Sequence, residues 1–290
     1  MTEPITDVER SVRERYSQAA DTQEPALCCR VDYKPELLDA IPQEILDKDY
    51  GCGDPSRYVR PGDAVLDLGS GGGKICYIAS QIVGADGSVT GVDMNDDMLE
   101  LAERHRDAVG NTIGHHNVRF VKGKIQDLAL DVRGLEQRLR ENPPHDFVSY
   151  EAHQRWADAQ RRNNPLVASD SIDIVVSNCV LNLVRREDRL HMFGEIHRVL
   201  REEGRAVISD IVADQDVPIE LQNDPELWSG CISGAFREDL FVEAFQQAGF
   251  DEVEIIDRDA NPWQVVAGID FRSVTVEARK RAGTAKRSCC

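Results

Sequence analysis

AVLDLGSGGGK, residues 64–74, is the most informative run of this sequence. Residues 64–68 are mostly apolar and stop at a glycine, which is typical of a buried strand. The segment KICYIASQIVG (74–84) follows with apolar residues at helical spacing and stops at Gly84. Glycines let the backbone approach a ligand, and a helix N-terminus can face it. This strand–loop–helix unit therefore predicts a ligand-binding loop.

The same alternation of strand and helix patterns continues along the chain. Four further apolar runs predict strands: SVTGVD (88–93), NVRFVKG (117–123), SIDIVVSN (171–178) and GRAVISDIV (204–212). Helices are predicted by the amphipathic stretches between them, DDMLELAERHRDA (96–108) and DRLHMFGEIHRVL (188–200). We therefore expect an α/β fold with a doubly wound, mostly parallel, seven-stranded Rossmann-like sheet. Its edge is completed by DEVEIID (251–257) and FRSVTVEAR (271–279).

The chain divides into three segments that differ in composition and in hydropathy pattern. Residues 1–60 form a polar, cysteine-bearing N-terminal segment with a predicted helix around Asp7–Ala19. Residues 61–215 carry the alternation and form the predicted ligand-binding domain, and residues 216–290 form a C-terminal substrate-binding region with a basic tail. Residues 131–168 are charged and predict an insertion of one or two exposed helices. We interpret this insertion as a solvated decoration; the alternative is a lid or a partner surface.

Composition excludes several classes of protein. The 290 residues carry 34 basic and 52 acidic side chains, a net charge of −18, which disfavours binding to a nucleic-acid backbone. No apolar run approaches the length of a membrane span, and the N-terminus MTEPITDVER has no signal-peptide pattern. We therefore expect a cytoplasmic protein whose eight cysteines serve as thiols, ligands or redox groups rather than structural disulfides.

The spacing of the loop glycines identifies the kind of nucleotide. A dinucleotide fingerprint needs glycines at 69, 71 and 74, but position 74 is lysine and the glycines fall at 69, 71 and 73. Asp67, two residues before the first glycine, suits the cationic end of a ligand better than a pyrophosphate. Asp93 ends the second strand, where a carboxylate can accept both hydroxyls of a ribose.

This pattern resembles the class I S-adenosylmethionine-dependent methyltransferases over residues 61–215. The resemblance implies that the methionine end of the cofactor lies against Asp67, Gly69, Ser70, Gly71 and Gly73. It also implies roles for the residues that follow: Asp93 on the ribose, Met94 on the adenine, and Ile125 and Gln126 at the adenine edge. Asn178, at the end of the fourth strand, is assigned to the cofactor as well. Lys124 stands where members of the class often carry an acid.

The positions of the cysteines narrow the range of candidate substrates. Cys179 follows the fourth strand, at the edge where parallel sheets bind ligands. The other candidates lie in polar or glycine-rich contexts: Cys52 in YGCG, Cys231 in WSGCISGA, and Cys28 and Cys29 in ALCC. Cys76, on an apolar helix face, is expected in the core. Without paired CxxC spacing, a structural zinc site is not indicated, but separate loops could converge on a soft centre such as trivalent arsenic.

The whole chain outside 131–168 and the tail is similar to the arsenite methyltransferase family. The similarity is carried by YGCGDP, GSGGGKICY, VVSNCVLNL, SDIVADQDVP and ELWSGCISGAF. It implies that Cys52, Cys179 and Cys231 hold trivalent arsenic, which arrives as arsenite or as its thiol conjugates and is methylated there, with Tyr50 near the cofactor sulfonium. It further implies that Cys28 or Cys29 pairs with Cys52 to return electrons, with thioredoxin or glutathione restoring the thiols. We expect Cys52 to lie in a more mobile segment than the other two.

Two alternatives remain at this stage. One is a methyltransferase acting on another metalloid or a small organic molecule, and the other is a non-catalytic thiolate protein that binds metals or metalloids. The intact glycine loop with Asp93 favours catalysis. The final methylation number, the oligomeric state, the role of the insertion and the choice between Cys28 and Cys29 stay open.

Overall fold

The computed structural model describes residues 8–22, 24, 31–48 and 50–281. Strands in these residues are β1 (Ala64–Leu68), β2 (Ser88–Asp93), β3 (Val118–Lys122), β4 (Ile172–Asn178), β5 (Leu200–Ala213), β6 (Phe236–Arg237), β7 (Glu252–Arg258), β8 (Gln264–Val266) and β9 (Ile269–Arg279). Helices are α1 (Val8–Asp21), α2 (Pro35–Leu38), α3 (Gln43–Asp47), α4 (Lys74–Val83), α5 (Asp96–Ile113), α6 (Val132–Glu141), α7 (Phe147–Asn163), α8 (Arg189–Val199), α9 (Ile219–Gln222), α10 (Pro225–Ser229) and α11 (Glu238–Gln247).

All described strands belong to one sheet, in the order β3-β2-β1-β4-β5-β9-β7, with the short β6 and β8 paired to β5 and β9. Strands β1 to β5 run parallel, whereas β9 is antiparallel to both β5 and β7. This confirms the predicted doubly wound, mostly parallel sheet and its two C-terminal edge strands. The chain moves outward from β1 to β3 and then returns to the other side of β1. Ligands of such sheets bind at this point of reversal.

Both faces of the sheet are buried, which explains the near-continuous apolar runs of its central strands. On one face, Phe193 of α8 and Phe245 of α11 pack edge to face, with ring centroids 4.7 Å apart. On the other, the fully buried Tyr77 and Ile78 of α4 pack against the sheet. None of the described helices is long and apolar enough to cross a membrane.

The predicted insertion forms two helices, α6 and α7, between β3 and β4. They present large apolar side chains to solvent, including Phe147, whose surface is 71% exposed. The end of the predicted 131–168 range behaves differently, because Val167 is 2% exposed and packs in the core beside the partly buried Leu166. Leu166 also donates its amide to the carbonyl of Ala129 at 3.1 Å. The exposed part of the insertion therefore stops before Leu166.

This geometry predicts how far the insertion can be removed. Deleting residues 132–164 and joining the ends through a short Gly/Ser linker should preserve the fold, since residues 129 and 166 are already hydrogen-bonded. Deleting 132–168 should lower the melting temperature by about 10 °C more, because it also removes two packed apolar side chains worth about 1.5–3 kcal/mol each. Circular-dichroism melts of the two variants test this, and equal melting temperatures would contradict it.

Candidate active site

The glycine loop lines a cleft at the carboxyl edge of the sheet. Gly69, Gly71 and Gly73 all have positive φ angles, 68°, 50° and 89°. A Cβ at Gly69 would lie 2.4 Å from the Val180 side chain, and one at Gly73 would lie 2.7 Å from the Phe120 ring. At Gly71, in contrast, the nearest atom would be 4.0 Å away. Two glycines are therefore required by packing, while Gly71 leaves open space beside the cleft.

Two carboxylates reach this cleft from neighbouring strands. Burial is the main cause that raises the pKa of Asp67 to about 7; a hydrogen bond from Cys76 opposes the shift and Asp93 adds to it. Asp93 accepts the amides of Gly71 and Asn95, both at 2.9 Å, and burial raises its pKa despite these donors. Neither carboxylate forms an ion pair with a described residue. The cleft is therefore suited to a cationic, hydroxyl-bearing ligand.

Helix α1 forms a roof over the cleft, a role that the sequence did not indicate. Asn95, at the start of α5, donates its side-chain amide to the carbonyl of Arg13 at 3.1 Å and to the Ser17 hydroxyl at 3.0 Å. Tyr50 donates its hydroxyl to the carbonyl of Ala19 at 2.9 Å. The cleft-facing residues of α1 are Glu9, Val12, Arg13 and Tyr16. The helix itself was predicted, but no motif marked its contact with the cleft.

The predicted adenine-binding residues lie together at one end. Met94, Ile125 and Gln126 all line the cleft. Lys124 forms an ion pair with Glu9 of α1 at 2.9 Å. A carboxylate therefore does border this end of the cleft, although it comes from the roof helix and not from the strand where the class often carries one.

Three thiols converge at the other end of the cleft. Cys52, Cys179 and Cys231 are 6%, 6% and 3% exposed and belong to one apolar cluster with Phe271. The Sγ atoms of Cys52 and Cys179 and a carboxylate oxygen of Asp210 all lie within 4.8 Å of one another. The Cys231 thiol donates to the carbonyl of Cys179 at 3.3 Å. We call these three side chains the thiol cluster.

The remaining cysteines separate from this cluster. Cys76 is fully buried beneath Asp67 and is a core residue, as predicted. Cys28 and Cys29 fall outside the residues that the structure describes, so their predicted pairing with Cys52 stays a prediction.

Two thiols of the cluster, Cys52 and Cys179, have pKa values that favour the protonated form. Hydrogen bonds with Cys231 and Cys52, together with burial, raise the pKa of Cys179 well above its usual range. Burial likewise raises the pKa of Cys52. Burial also raises the pKa of Asp210 to about 6, although the amides of Ile211, Asn182 and Leu181 donate to it. A ligand of this cluster must therefore take up the thiol protons itself or release them to water.

Asn178 anchors the loop that carries Cys52. Its amide oxygen accepts the backbone N–H groups of Cys52 and Gly53 at 2.9 and 3.0 Å, and its amide nitrogen donates to the carbonyl of Gly53 at 2.7 Å. Ser273 donates its hydroxyl to the carbonyl of Cys52 at 2.8 Å. These bonds anchor the backbone of Cys52, while the expected greater mobility of its segment stays a prediction. Asn178 does line the cleft, but its amide serves this loop.

A buried arginine joins the loops of the other two thiols. Arg189 donates to the carbonyls of Asn182 and Gly234 at 3.1 and 2.7 Å, and its burial lowers its pKa to about 9. A Cβ at Gly234 would lie 1.9 Å from the Asn182 oxygen, so only glycine permits this approach. Cys179 and Cys231 themselves adopt left-handed φ angles of 63° and 64°, a strained conformation that concentrates at functional sites.

Tyr16 closes the cluster from the roof helix. Its ring packs edge to face on Tyr50, with centroids 6.2 Å apart. Loss of solvent raises the pKa of the Tyr16 phenol well above its usual range, with smaller contributions from Cys231 and Cys179. Sequence reasoning missed Tyr16 and Arg189, which lie outside the motifs; Asp210 lay within the quoted SDIVADQDVP and was given no role.

The sheet order and the cleft beside β1 define a class I S-adenosylmethionine-dependent methyltransferase fold, as predicted. A family model described as a methyltransferase domain matches residues 60–135 and 140–249, and the chain belongs to this family. Together with the solved arsenic(III) S-adenosylmethionine methyltransferase described below, this match confirms S-adenosylmethionine as the cofactor.

Individual relatives of known activity are also similar to this chain in sequence and in structure. The chain is 34% identical to an arsenite methyltransferase of Halobacterium salinarum over 81% of its own length and 52% of the relative. For an arsenite methyltransferase of Mus musculus these values are 30%, 87% and 60%. The present chain therefore spans about half the length of these curated relatives. A solved arsenic(III) S-adenosylmethionine methyltransferase of Chlamydomonas reinhardtii superposes with a TM-score of 0.67 at 28% identity, covering 87% of this chain and 76% of that one. The resemblance to this family is confirmed.

The geometry predicts that Asn178 positions Cys52 and is not needed to bind the cofactor. Asn178→Ala removes two acceptor contacts, each worth about 1 kcal/mol, and should weaken arsenite binding about tenfold or more. Binding of S-adenosylhomocysteine should change less than threefold. Calorimetry measures both affinities.

Ser273→Ala is the matched variant, because it loosens the same cysteine from β9 without touching the cleft. It should weaken arsenite binding in the same direction and leave the nucleoside unaffected. If Asn178→Ala instead weakens only S-adenosylhomocysteine, the cofactor role predicted from the sequence is correct.

Proposed function

We propose that this protein transfers a methyl group from S-adenosylmethionine to trivalent arsenic held by Cys52, Cys179 and Cys231. The observation that carries the proposal is the thiol cluster itself, which meets the cofactor cleft at Cys179. Arsenic(III) prefers three thiolates in a pyramid, and three buried thiols from three separate loops provide that number in a water-poor setting.

The cleft residues suit S-adenosylmethionine. Asp67, a desolvated carboxylate, would receive the ammonium of the methionine end. The buried Oγ of Ser70 has no hydrogen-bond partner among the described residues, and Gly71 leaves room where a side chain would intrude. Asp93 would hold the ribose through its remaining lone pairs. The hydrophobic Met94 and Ile125, with Gln126, would border the adenine.

The protonated thiols match the chemistry of arsenite. As(OH)₃ brings its own bases: each As–S bond forms as an As–O bond breaks, and the thiol proton leaves with the hydroxide as water. Three exchanges release three waters and leave the arsenic lone pair free. A divalent cation carries no such base and would have to expel the protons, so the raised pKa of Cys179 favours arsenite.

Methyl transfer then needs positioning rather than acid–base catalysis. The bound cofactor supplies an electrophilic methyl on its sulfonium. Cys179 forms part of the cleft wall, so arsenic attached to it would border a cofactor bound in the cleft, and Tyr50 and Tyr16 cover the same junction. Because the nucleophile is a lone pair with no proton, no general base is required, and catalysis consists of alignment and exclusion of water.

A reduction step completes the proposal. Methylation raises arsenic formally to the pentavalent state, and two thiols return two electrons as they form a disulfide. Cys28 or Cys29 with Cys52 would supply these electrons, and thioredoxin or glutathione in the cytoplasm would restore the thiols. Support comes from the chain path, because Cys29 precedes Val31 by two residues and Val31 lines a cavity that also contains Cys52.

The role of Asp67 predicts a pH dependence of cofactor binding. With a pKa of about 7 in the empty site, Asp67 loses its charge as the pH falls below 7. The affinity for S-adenosylhomocysteine, which has the same ammonium, should therefore fall between pH 7 and pH 5, by up to about tenfold per pH unit. Asp67→Asn should abolish this dependence and bind weakly at pH 8.

The same variant should also stabilise the empty protein. The folded-state pKa lies above the ordinary value of 3.8, so ionisation of Asp67 costs stability as the pH rises from about 4 through 7. Asp67→Asn should consequently melt higher than the parent at pH 8 and equally at pH 4. Asp86→Asn, an exposed turn residue, is the control and should change neither quantity. A parent affinity that is independent of pH would overturn the assignment.

Different sets of cysteines should be required for the first and the second methylation step. Inorganic arsenite offers three exchangeable positions and monomethylarsenite offers two. Cys179→Ser and Cys231→Ser should abolish both methylations, whereas Cys52→Ser should abolish the first and spare the second. Cys28→Ser and Cys29→Ser should each be mild, with loss only in the double variant. Chromatographic separation of products from both arsenicals, with thiol reductant present, measures this.

Cys76→Ser provides the matched control, because it removes a buried thiol outside the cluster and keeps a donor for Asp67. It should retain both methylations. If Cys179→Ser still methylates monomethylarsenite at the parent rate, a site built on Cys179 and Cys231 is wrong.

A further inference from the structure

A second cavity reaches the thiol cluster without passing through the cofactor cleft. It has a volume of about 400 Å³, and its wall includes Cys52 and Gly53 together with Ser273 and Thr275 of β9. None of its lining residues borders the cofactor cleft, which meets the cluster at Cys179. Since the Sγ atoms of Cys52 and Cys179 lie within 4.8 Å of each other, the cluster separates two cavities.

The mouth of this cavity is acidic. Four carboxylates, Asp32, Asp54, Asp257 and Asp259, line it together with two guanidiniums, Arg57 and Arg258. Arg57 is paired with Asp54 at 3.0 Å, and Arg258 is paired at 2.9 Å with Glu238, which lies outside the cavity. Among the described residues, no ion pair includes Asp257 or Asp259. Arg272 donates to the backbone carbonyls of Asp259 and Ala260, but its charge is paired with Asp270 at 3.2 Å. The wall formed by β7 and the residues after it therefore has a net negative charge.

The inner end of the cavity is uncharged, because its buried lining residues include Cys52, Ser273 and Thr275. Trp263 lies on its wall and packs against the cluster that contains the three thiols. An arriving solute therefore passes negative charge first and meets an uncharged wall that includes Cys52 afterwards. Such a path favours a small uncharged molecule and opposes an anion.

We propose that this cavity is the access route for arsenic and that its acidic mouth selects uncharged As(OH)₃ over anionic thiol conjugates of arsenic. The inference rests on the proposed function and names the form of its substrate. As(OH)₃ reaches Cys52 first: an As–S bond forms, an As–O bond breaks, and the thiol proton leaves with the hydroxide as water. The triglutathione conjugate, with a charge of about −3 at neutral pH, is repelled at the mouth.

The test compares the capture of both forms by a variant with a neutral mouth. Asp257→Asn/Asp259→Asn removes two negative charges from positions that contact neither the cofactor cleft nor the thiols. Stopped-flow tryptophan fluorescence, with Trp263 and Trp228 near the thiol cluster, measures capture of arsenite with a phosphine reductant and of the preformed triglutathione conjugate. At low ionic strength the variant should capture the conjugate about tenfold faster than the parent, while its rate for arsenite stays within twofold. In high salt the gain should vanish.

Asp86→Asn/Asp107→Asn is the matched control, because it removes the same charge from exposed positions away from the cavity. It should leave both rates within twofold of the parent. Equal effects of the two double variants, or a gain that persists in high salt, would overturn the access route and leave the proposed function intact. Failure of the parent to capture arsenic in either form would overturn the proposed function, and the access route with it.

Discussion

The side-chain amide of Asn178 holds the arrangement on which the candidate site depends. Asn178 is the last residue of β4, the middle strand of the sheet order. The oxygen and nitrogen of its side-chain amide bind the peptide groups of Cys52 and Gly53. This contact excludes a side chain at position 51, where a Cβ would lie 2.0 Å from the amide nitrogen. The distant segments YGCG and SNCV are therefore two halves of one structure, in which the rigid sheet fixes where Cys52 lies.

The site carries several unfavourable features that the large core of the sheet stabilises. Asp67 is desolvated and forms no ion pair with a described residue, Arg189 is buried, and Cys179 and Cys231 have left-handed backbones. Each of these costs free energy in the empty protein. Asp67 and Cys179 line the cleft, and Arg189 joins the loops that carry Cys179 and Cys231. Stability is sacrificed at the place where positioning is needed, which is common in binding sites.

Sequence periodicity was enough to predict the sheet, because apolar runs and loop glycines depend on local structure. The shared edge of parallel strands also predicted a common position for Cys179 and Cys231, whereas Cys52 was added to them by the similarity to the arsenite methyltransferase family. Sequence periodicity does not predict contacts between segments that are far apart in the chain. The role of Tyr16 depends on where α1 docks, and the anchoring of Cys52 depends on the Asn178 amide; neither leaves a periodic signal. Leu166 and Val167, at the end of a charged stretch, likewise join the core through contacts that periodicity does not report.

The separation of the two cavities bears on how a second round of methylation could proceed. Monomethylarsenite in water is also uncharged, so a negative mouth that admits As(OH)₃ would admit it equally. A nucleoside bound in the cleft would lie beneath α1 and would not need to leave through the cavity proposed for arsenic. Cofactor exchange and arsenical exchange would thus be independent, and the two paths would meet at the contact between Cys52 and Cys179. The position of Cys179 explains why a strained cysteine at the end of the central strand is tolerated: it is the one thiol of the cluster that borders the cofactor cleft.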